Sequence, residues 1–150
     1  TGGRIKRIQK FIGDEPFMMT YGDGVSDVNI SELVNFHKRH GKLVTMTAVQ
    51  PEGRFGILDL DGEAVKAFRE KSQDDMGYIN AGFMVLQPEV FSTIEDDSTI
   101  FERAPLETLA NKGELIAFRH DGFWQCMDTQ RDKQKLEELW ASGNAPWRNW

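Results

Sequence analysis

Two short apolar runs enclose an amphipathic segment near the start of the chain, and this order constrains the fold more than any other feature. Residues 15–20 and 43–49 are typical of buried strands, the second being rich in Val, Thr and Leu. Between them, apolar residues recur at helical spacing as far as His40, and Gly41 follows as a stop signal. Three residues could cap this helix: Asp27, Asn29 and Ser31. Since strand–helix–strand units fold as right-handed crossovers, the pattern predicts a parallel pair of strands in an α/β protein.

Apolar runs and turn signals predict further elements along the rest of the chain. We expect strands at residues 55–60, 64–68, 79–86 and 115–118, and helices at residues 105–112 and 131–141. The pair Asp61-Gly62 separates the first two of these strands and predicts a hairpin. The last helix is expected to bury Leu136, Leu139 and Trp140. Because no repeat or linker interrupts the pattern, residues 1–150 are predicted to form one α/β domain with a mixed, mostly parallel sheet flanked by helices.

The composition argues against some functions. A net charge of −6 and a pI of about 5.1, with no basic stripe, argue against a general nucleic-acid or membrane-surface binder. No apolar stretch approaches the length of a membrane span. A single cysteine, Cys126, forms no internal disulfide and is typical of a reducing compartment, so we expect a cytoplasmic protein. The sequence begins at Thr1 rather than Met, and we expect it to be a piece of a longer chain.

Asp23 directly follows an apolar run and is flanked by two glycines, which makes it the first candidate for chemistry. Open α/β sheets place ligand-binding groups at the carboxyl ends of their strands. Gly22 and Gly24 would allow a sharp turn and the close approach of a ligand. The alternative is an Asp-Gly turn that simply ends the strand. A second carboxylate, Asp128, lies between a predicted strand and a helix, where it could share Mg²⁺ with Asp23 or instead cap the helix.

Three other polar segments are candidates, and each has a structural alternative. Glu70-Lys71 could contact sugar hydroxyls and a phosphate, or could be a solvated charge pair at the end of a strand. Asn80 enters an apolar strand, so its amide either belongs to a turn or contacts a ligand. Thr1-Gly2-Gly3-Arg4 could hold an anion through backbone N–H groups and a guanidinium, or could be a flexible start with a solvated basic face.

Other conspicuous residues are expected to have structural roles. His37, on the apolar face of its helix, should pack in the core, and the scattered His37, His40 and His120 have no zinc-binding spacing. Four methionines inside predicted strands should fill the core: Met18, Met19, Met46 and Met84. The aromatic tail, residues 145–150, could cover its own domain or pack against a neighbouring subunit, and we favour the neighbour.

In their order and spacing, several of these segments together resemble the sugar-phosphate nucleotidyltransferases, and within them the cytidylyltransferase branch. The segments are Thr1-Gly2-Gly3-Arg4, Tyr21-Gly22-Asp23-Gly24-Val25, Gly53-Arg54-Phe55-Gly56, Glu70-Lys71, Ile79-Asn80-Ala81-Gly82-Phe83, Gly122-Phe123-Trp124-Gln125 with Met127-Asp128-Thr129, and Ala145-Pro146-Trp147. The resemblance covers essentially the whole chain. It implies a Rossmann-like nucleotidyltransferase fold.

The resemblance also implies a reaction. The phosphate oxygen of α-D-glucose 1-phosphate would attack the α-phosphorus of CTP, giving CDP-glucose and pyrophosphate for bacterial surface deoxysugar synthesis. Asp23 and Asp128 would hold Mg²⁺, and Lys71 would bind the sugar phosphate. The substrate-binding residues implied are Arg4 for the nucleotide, Glu70, Asn80 and Gly82 for the glucose, Trp124 on the sugar side, and Tyr21 and Gly22 beside them. The family forms symmetric homo-oligomers, and its partners are small molecules rather than nucleic acids or membranes.

The chain departs from the family pattern in two ways. The family's glycine-rich phosphate loop has no match, so we expect these residues to be the C-terminal portion of one nucleotidyltransferase domain, inactive alone. Ser72 and Cys126 stand where relatives usually have proline, which loosens both loops. Because base recognition would fall largely in the missing portion, the alternatives are another nucleotide or hexose phosphate, or a non-catalytic module that binds sugar phosphates.

Overall fold

The computed structural model describes residues 1–51, 57–69 and 77–148. Within these ranges the chain forms both α-helices and β-strands, with a 3₁₀ helix at Pro88–Thr93. The α-helices are α1 (Gly2–Ile12), α2 (Ile30–His40), α3 (Ala104–Asn111) and α4 (Gln130–Ala141). The strands are β1 (Phe17–Thr20), β2 (Gly24–Ser26), β3 (Val44–Val49), β4 (Ile57–Asp61), β5 (Ala64–Arg69), β6 (Ile79–Leu86), β7 (Leu115–Arg119) and β8 (Trp124–Cys126). None of the helices in the described ranges is both long and apolar enough to cross a membrane.

The central sheet has the strand order β1-β6-β3-β7, and it confirms the predicted mixed α/β class. Strands β1, β3 and β7 run in one direction, because β3 pairs in parallel with β7 and both β1 and β3 pair antiparallel with β6. The expected adjacent parallel pair of β1 and β3 is therefore wrong. The two strands do share a direction, as a crossover requires, but the apolar strand β6 lies between them and is buried on both sides.

The crossover helix α2 begins and ends as the sequence predicts. Of the three candidate caps, Asn29 is the one used: its side-chain oxygen accepts the backbone N–H of Glu32 at 3.0 Å. Gly41 ends the helix in the left-handed conformation, with a φ of 63°. Leu33 and His37 are buried beneath the helix, which confirms His37 as a core residue. The β4–β5 hairpin is likewise confirmed, with Gly62 at a φ of 58° in its turn.

Helix α1 was not predicted, because its two glycines are unfavourable in a helix by about 1 kcal/mol each. The structure shows why they are there. A Cβ at Gly2 would lie 2.7 Å from the carbonyl oxygen of Thr99, and one at Gly3 would overlap that of Asp97. The glycines therefore let α1 lie directly against the backbone of residues 97–99. The segment is thus the start of a packed helix and not a flexible start, while anion binding by Arg4 stays a prediction.

Basic side chains on α1 tie the helix to the same neighbouring segment. The Arg7 guanidinium donates to the Asp97 carboxylate, and this contact raises the pKa of Arg7 and lowers that of Asp97. Lys6 donates to the carbonyl oxygens of Phe91, at 3.3 Å, and of Ile94. These residues therefore act in packing the helix rather than forming only a solvated basic face.

The hydrophobic core lies between the central sheet, α1, α3 and the 3₁₀ helix. Its buried members are Ile5, Val44, Met84, Leu86, Val90, Phe91, Ile94, Phe101, Leu106 and Leu109. Met19 and Met46 pack against this core as expected, but Met18 is 61% exposed on β1, so its predicted burial is wrong. The expectation for α4 is wrong in the same way at Trp140, which is 50% exposed while Leu136 is buried. At the tail, the ring of Trp147 packs at a tilt of 32° against Phe123 of its own chain, with ring centroids 5.3 Å apart.

Candidate active site

A bulge in β6 is the centre of the candidate site. Met46 and Ala48 of β3 pair with Met84 and Asn80 of β6, so β6 carries two more residues than its partner between these pairs. Gly82 lies in this bulge with a φ of 82°, a conformation that other residues rarely adopt. Bulges of this kind re-aim neighbouring side chains, and here the bulge lies at the carboxyl end of β1.

The ring of Tyr21 packs directly on Gly82. A Cβ added at Gly82 would lie 2.9 Å from Cδ2 of Tyr21, and the backbone N–H of Tyr21 donates to the Gly82 carbonyl oxygen at 2.9 Å. A glycine is therefore required for two reasons, its backbone conformation and the space that the ring occupies. The structure thus brings together two of the residues that the sequence placed in the substrate site.

Asn80 is held by two hydrogen bonds at the beginning of the bulge. Its Nδ2 donates to the hydroxyl of Tyr21 at 3.1 Å, and its Oδ1 accepts the backbone N–H of Gly82 at 2.8 Å. These bonds satisfy most of the amide within an apolar strand, which resolves the problem that the sequence posed. The second N–H of Nδ2 has no hydrogen bond to any residue in the described ranges, and it is the donor that could reach a ligand.

Glu102 belongs to the same network, and sequence reasoning missed it. The Tyr21 hydroxyl donates to Oε1 of Glu102 at 2.6 Å, and the Thr1 hydroxyl donates to Oε2. Burial alone would raise the pKa of Glu102, but the hydrogen bonds from Thr1 and Tyr21 outweigh it and hold the pKa below its usual value. Burial and the Glu102 carboxylate raise the pKa of Tyr21, so its hydroxyl stays protonated. Glu102 lies in a turn before α3, where no motif marked it.

A two-stranded ribbon, β2 paired antiparallel with β8, packs on the bulge. The indole N–H of Trp124 in β8 donates to the carbonyl oxygen of Ala81 at 2.9 Å. Gly24 in β2 allows the approach, because a Cβ there would lie 3.3 Å from the same carbonyl oxygen. The polar atom of Trp124 is therefore used in joining the two sheets, and the half-buried face of its ring is the part that could line a substrate.

The open end of this ribbon brings the backbones of the two candidate acidic residues near each other. The backbone N–H of Met127 donates to the carbonyl oxygen of Asp23 at 2.8 Å, and Asp128 is the next residue. Both carboxylates are exposed, and neither forms a hydrogen bond or ion pair with another residue of the described part of the chain. The helix-cap alternative for Asp128 is wrong, because Thr129 caps α4 in a capping box with Asp132.

The chemistry of these two residues fits a small, hard cation. Carboxylate oxygens are the ligands that Mg²⁺ prefers, usually one or two of them together with substrate phosphates and water. Within the described ranges no cluster of three or more His, Cys, Asp or Glu side chains is arranged to hold a metal ion. A cation between Asp23 and Asp128 would therefore depend on oxygens from a substrate to complete its coordination, as Mg²⁺ commonly does.

The remaining predicted residues are less closely placed or lie outside the described ranges. Arg4 is exposed in the first turn of α1, one turn after Thr1, whose hydroxyl bonds to Glu102. Gly22 faces open space, since a Cβ there would meet nothing within 4 Å. The predicted sugar-phosphate pair Glu70 and Lys71 lies outside the described residues, and so does the segment at residues 53–56.

The sequence matches the family described as nucleotidyl transferase over residues 1–128, and the chain therefore belongs to that family. It is 53% identical over its whole length to the glucose-1-phosphate cytidylyltransferase of Salmonella typhi. It is 40% identical to a probable glucose-1-phosphate cytidylyltransferase of Bacillus subtilis. The chain spans 59% of the length of each of these relatives.

Solved structures confirm the fold. HddC from Yersinia pseudotuberculosis superimposes on 93% of the chain with a TM-score of 0.69 at 24% identity, covering 62% of that protein. A putative glucose-1-phosphate thymidylyltransferase from Bacillus anthracis superimposes on the whole chain with a TM-score of 0.67 at 17% identity, covering 61% of that protein. At these identities the likeness concerns the fold alone.

Proposed function

We propose that the whole protein transfers the cytidylyl group of CTP to α-D-glucose 1-phosphate, releasing pyrophosphate and forming CDP-glucose. One observation carries the proposal. Residues from distant stretches of the chain lie around the β6 bulge and the adjoining ribbon end, in a chain 53% identical to a glucose-1-phosphate cytidylyltransferase. These residues are Tyr21, Asp23, Asn80, Trp124 and Asp128.

Each residue has a role that its contacts support. Asn80 would donate its remaining N–H to an oxygen of the sugar phosphate, because its other polar atoms are held by Tyr21 and Gly82. Trp124 would line the sugar with its half-buried ring. Gly22 leaves space for a ligand beside Asp23. The chain's contribution at these positions is to hold the two reactants in line, which is the larger part of catalysis in phosphoryl-type transfer.

Charge neutralisation is the second contribution. Asp23 and Asp128 would hold Mg²⁺, which when bound neutralises the phosphate oxygens and stabilises the charge that develops during transfer. Lys71 would balance the charge of the sugar phosphate, and Arg4 that of the nucleotide. These assignments rest on the family resemblance together with the exposure of Asp23, Asp128 and Arg4.

The test is pyrophosphate release by the full-length protein with glucose 1-phosphate, Mg²⁺ and each of CTP, UTP, dTTP and GTP in turn. We expect CTP to be used with the highest kcat/KM. Equal rates with UTP or dTTP would remove the cytidylyl assignment and leave a nucleotidyltransferase of broader specificity. Binding of glucose 1-phosphate without turnover of any nucleotide would favour a non-catalytic module instead.

We further propose that the protein acts as a homo-oligomer in the cytoplasm and supplies surface deoxysugar synthesis. The resemblance to the family supports the oligomer and the pathway, and the single cysteine supports a reducing compartment. Light scattering on the full-length protein would measure the oligomer mass, and a monomer at micromolar concentration would contradict this part.

A further inference from the structure

A continuous chain of hydrogen bonds connects Asn80 to the turn before α3, and every group in it can donate or accept as its bonds require. The backbone N–H of Phe101 donates to the Thr1 hydroxyl at 3.1 Å, and Thr1 in turn donates to Glu102. From the other side, Asn80 donates to the Tyr21 hydroxyl, and Tyr21 donates to Glu102. The half-buried Glu102 carboxylate is thus the common acceptor at which both branches end.

The carboxylate and the backbone N–H of Gly82 together fix which way the Asn80 amide points. A hydroxyl has one proton, and in Tyr21 that proton is directed at Glu102, so only a lone pair faces Asn80. Asn80 must then present its NH₂ group to Tyr21 and its Oδ1 to the N–H of Gly82. Without an acceptor at residue 102, the Tyr21 hydroxyl could turn its proton toward Asn80, and the bond from Nδ2 that holds the amide against Tyr21 would be lost.

We propose that Glu102 is a positioning residue that acts through Tyr21 to present an N–H of Asn80 to the sugar-phosphate substrate. This inference rests on the proposed function, because it takes glucose 1-phosphate as the ligand of Asn80. Glu102 itself need not touch the substrate. Its bond to Thr1 offers a competing role, in which it only holds the beginning of α1, and the two roles predict different kinetics.

Three variants of the full-length protein separate these roles. Glu102→Met keeps the side-chain length but replaces the carboxylate with a thioether, which is only a weak acceptor, and Tyr21→Phe keeps the ring on Gly82 while removing the link. Thr1→Ala removes only the branch toward α1 and is the matched control. We expect Glu102→Met to raise the KM for glucose 1-phosphate about tenfold, the effect of losing one hydrogen bond to a polar group, with a smaller change for CTP.

The decisive measurement is the coupling between residues 102 and 21. If Glu102 acts through Tyr21, adding Glu102→Met to Tyr21→Phe should change the KM for glucose 1-phosphate less than about twofold further. Thr1→Ala should lower the melting temperature and leave this KM unchanged. Additive effects of Glu102→Met and Tyr21→Phe, or an equal rise in KM with Thr1→Ala, would overturn the proposal.

Two further outcomes are also informative. If Glu102→Met does not fold, Tyr21→Phe and Thr1→Ala still decide: a higher KM with Tyr21→Phe alone supports the link, and equal KM values overturn it.

If no nucleotide is turned over, the proposed function fails, and calorimetric binding of glucose 1-phosphate to the same variants tests the positioning role separately. Failure of the unaltered protein to bind glucose 1-phosphate would overturn the positioning role as well.

Discussion

The indole N–H of Trp124 donates to the carbonyl oxygen of Ala81 at 2.9 Å, and this bond joins the β2–β8 ribbon to the central sheet. Asp23 and Asp128 lie at the open end of that ribbon, whereas Asn80 and Gly82 lie on the sheet. This contact therefore helps to set the position of the two acidic residues relative to the Asn80 amide.

Trp124→Phe keeps an aromatic ring at the contact but removes the donor. We expect the free energy of unfolding to fall by about 1 kcal/mol, since a buried carbonyl loses its partner. The same change should lower kcat/KM, because the two halves of the site are no longer held in register. Thermal unfolding and steady-state kinetics measure these effects, with the half-exposed Trp140→Phe as the control. Identical behaviour of the two variants would contradict this role for Trp124.

Gly82→Ala should be more damaging than an alanine at another glycine with a similar backbone. At Gly82 the substitution meets both a φ of 82° and the ring of Tyr21, whose Cδ2 would lie 2.9 Å from the new Cβ. Gly113 has a φ of 68° but open space around it, so Gly113→Ala experiences only the backbone penalty of about 1–2 kcal/mol. Chemical denaturation of both variants gives the comparison. We expect Gly82→Ala to exceed Gly113→Ala and to raise the KM for glucose 1-phosphate.

Asp23→Asn and Asp128→Asn should each lower kcat by at least about 100-fold, because each removes a charged ligand from the proposed Mg²⁺ site. The Mg²⁺ concentration that supports half-maximal activity should rise in both. Asp14→Asn, which neutralises an exposed carboxylate in the turn after α1, is the control and should leave both quantities unchanged. Unaltered turnover in either test variant would remove that residue from the metal site.

Stability should fall when the pH drops from about 8 to about 5, because His37 and His40 bind protons more readily in the unfolded chain. Burial lowers the pKa of both side chains below 6.5. The neighbouring His40 lowers the pKa of His37 further, and the positive charges of Lys42 and Arg39 lower that of His40 further. The stability that the two neutral histidines contribute is fully present above pH 6.5, their pKa in the unfolded chain. It is lost as the pH falls toward the lowered pKa values of the folded chain. Urea unfolding at several pH values measures the slope.

The hydrogen bonds of these histidines suggest the matching variant. Nδ1 of His37 and Nε2 of His40 both contact the Thr45 hydroxyl, at 2.8 and 2.7 Å. His40→Gln can keep a polar contact to Thr45 but does not titrate in this range, so its stability should fall less between pH 7 and about pH 5. A slope equal to that of the unaltered protein would show that His40 does not contribute.

Local signals in the sequence were enough to predict most of the helices and strands. The stop at Gly41 and the turn at Asp61-Gly62 each act over a few residues and were predicted correctly, and the cap at Asn29 was one of three candidates. The placement of Asp23 after a strand and of Asp128 between a strand and a helix was also correct. The segments that carry the family resemblance were visible for the same reason, since each is a short contiguous run.

The predictions that failed depended on contacts between distant parts of the chain. Strand β6 separates β1 from β3 because that order buries an apolar strand between two others, and local propensity does not encode the order of strands. Helix α1 forms although it begins with two glycines, because residues 97–99 pack against them. The hydrogen bond between Tyr21 and Glu102 joins residues 81 positions apart in the sequence, and no sequence motif indicates it.

The amino-acid sequence by itself determined the α/β class, the elements that local residues begin and end, and the kinds of side chain available for binding phosphates and sugars. Tertiary structure alone decided which of those side chains meet, through the bulge at Gly82, the docking of the ribbon through Trp124, and the carboxylate of Glu102 behind Tyr21. The physical reason is that helix caps and turns are stabilised by neighbours in sequence, whereas a site is stabilised by burial and hydrogen bonds between residues that only folding brings together.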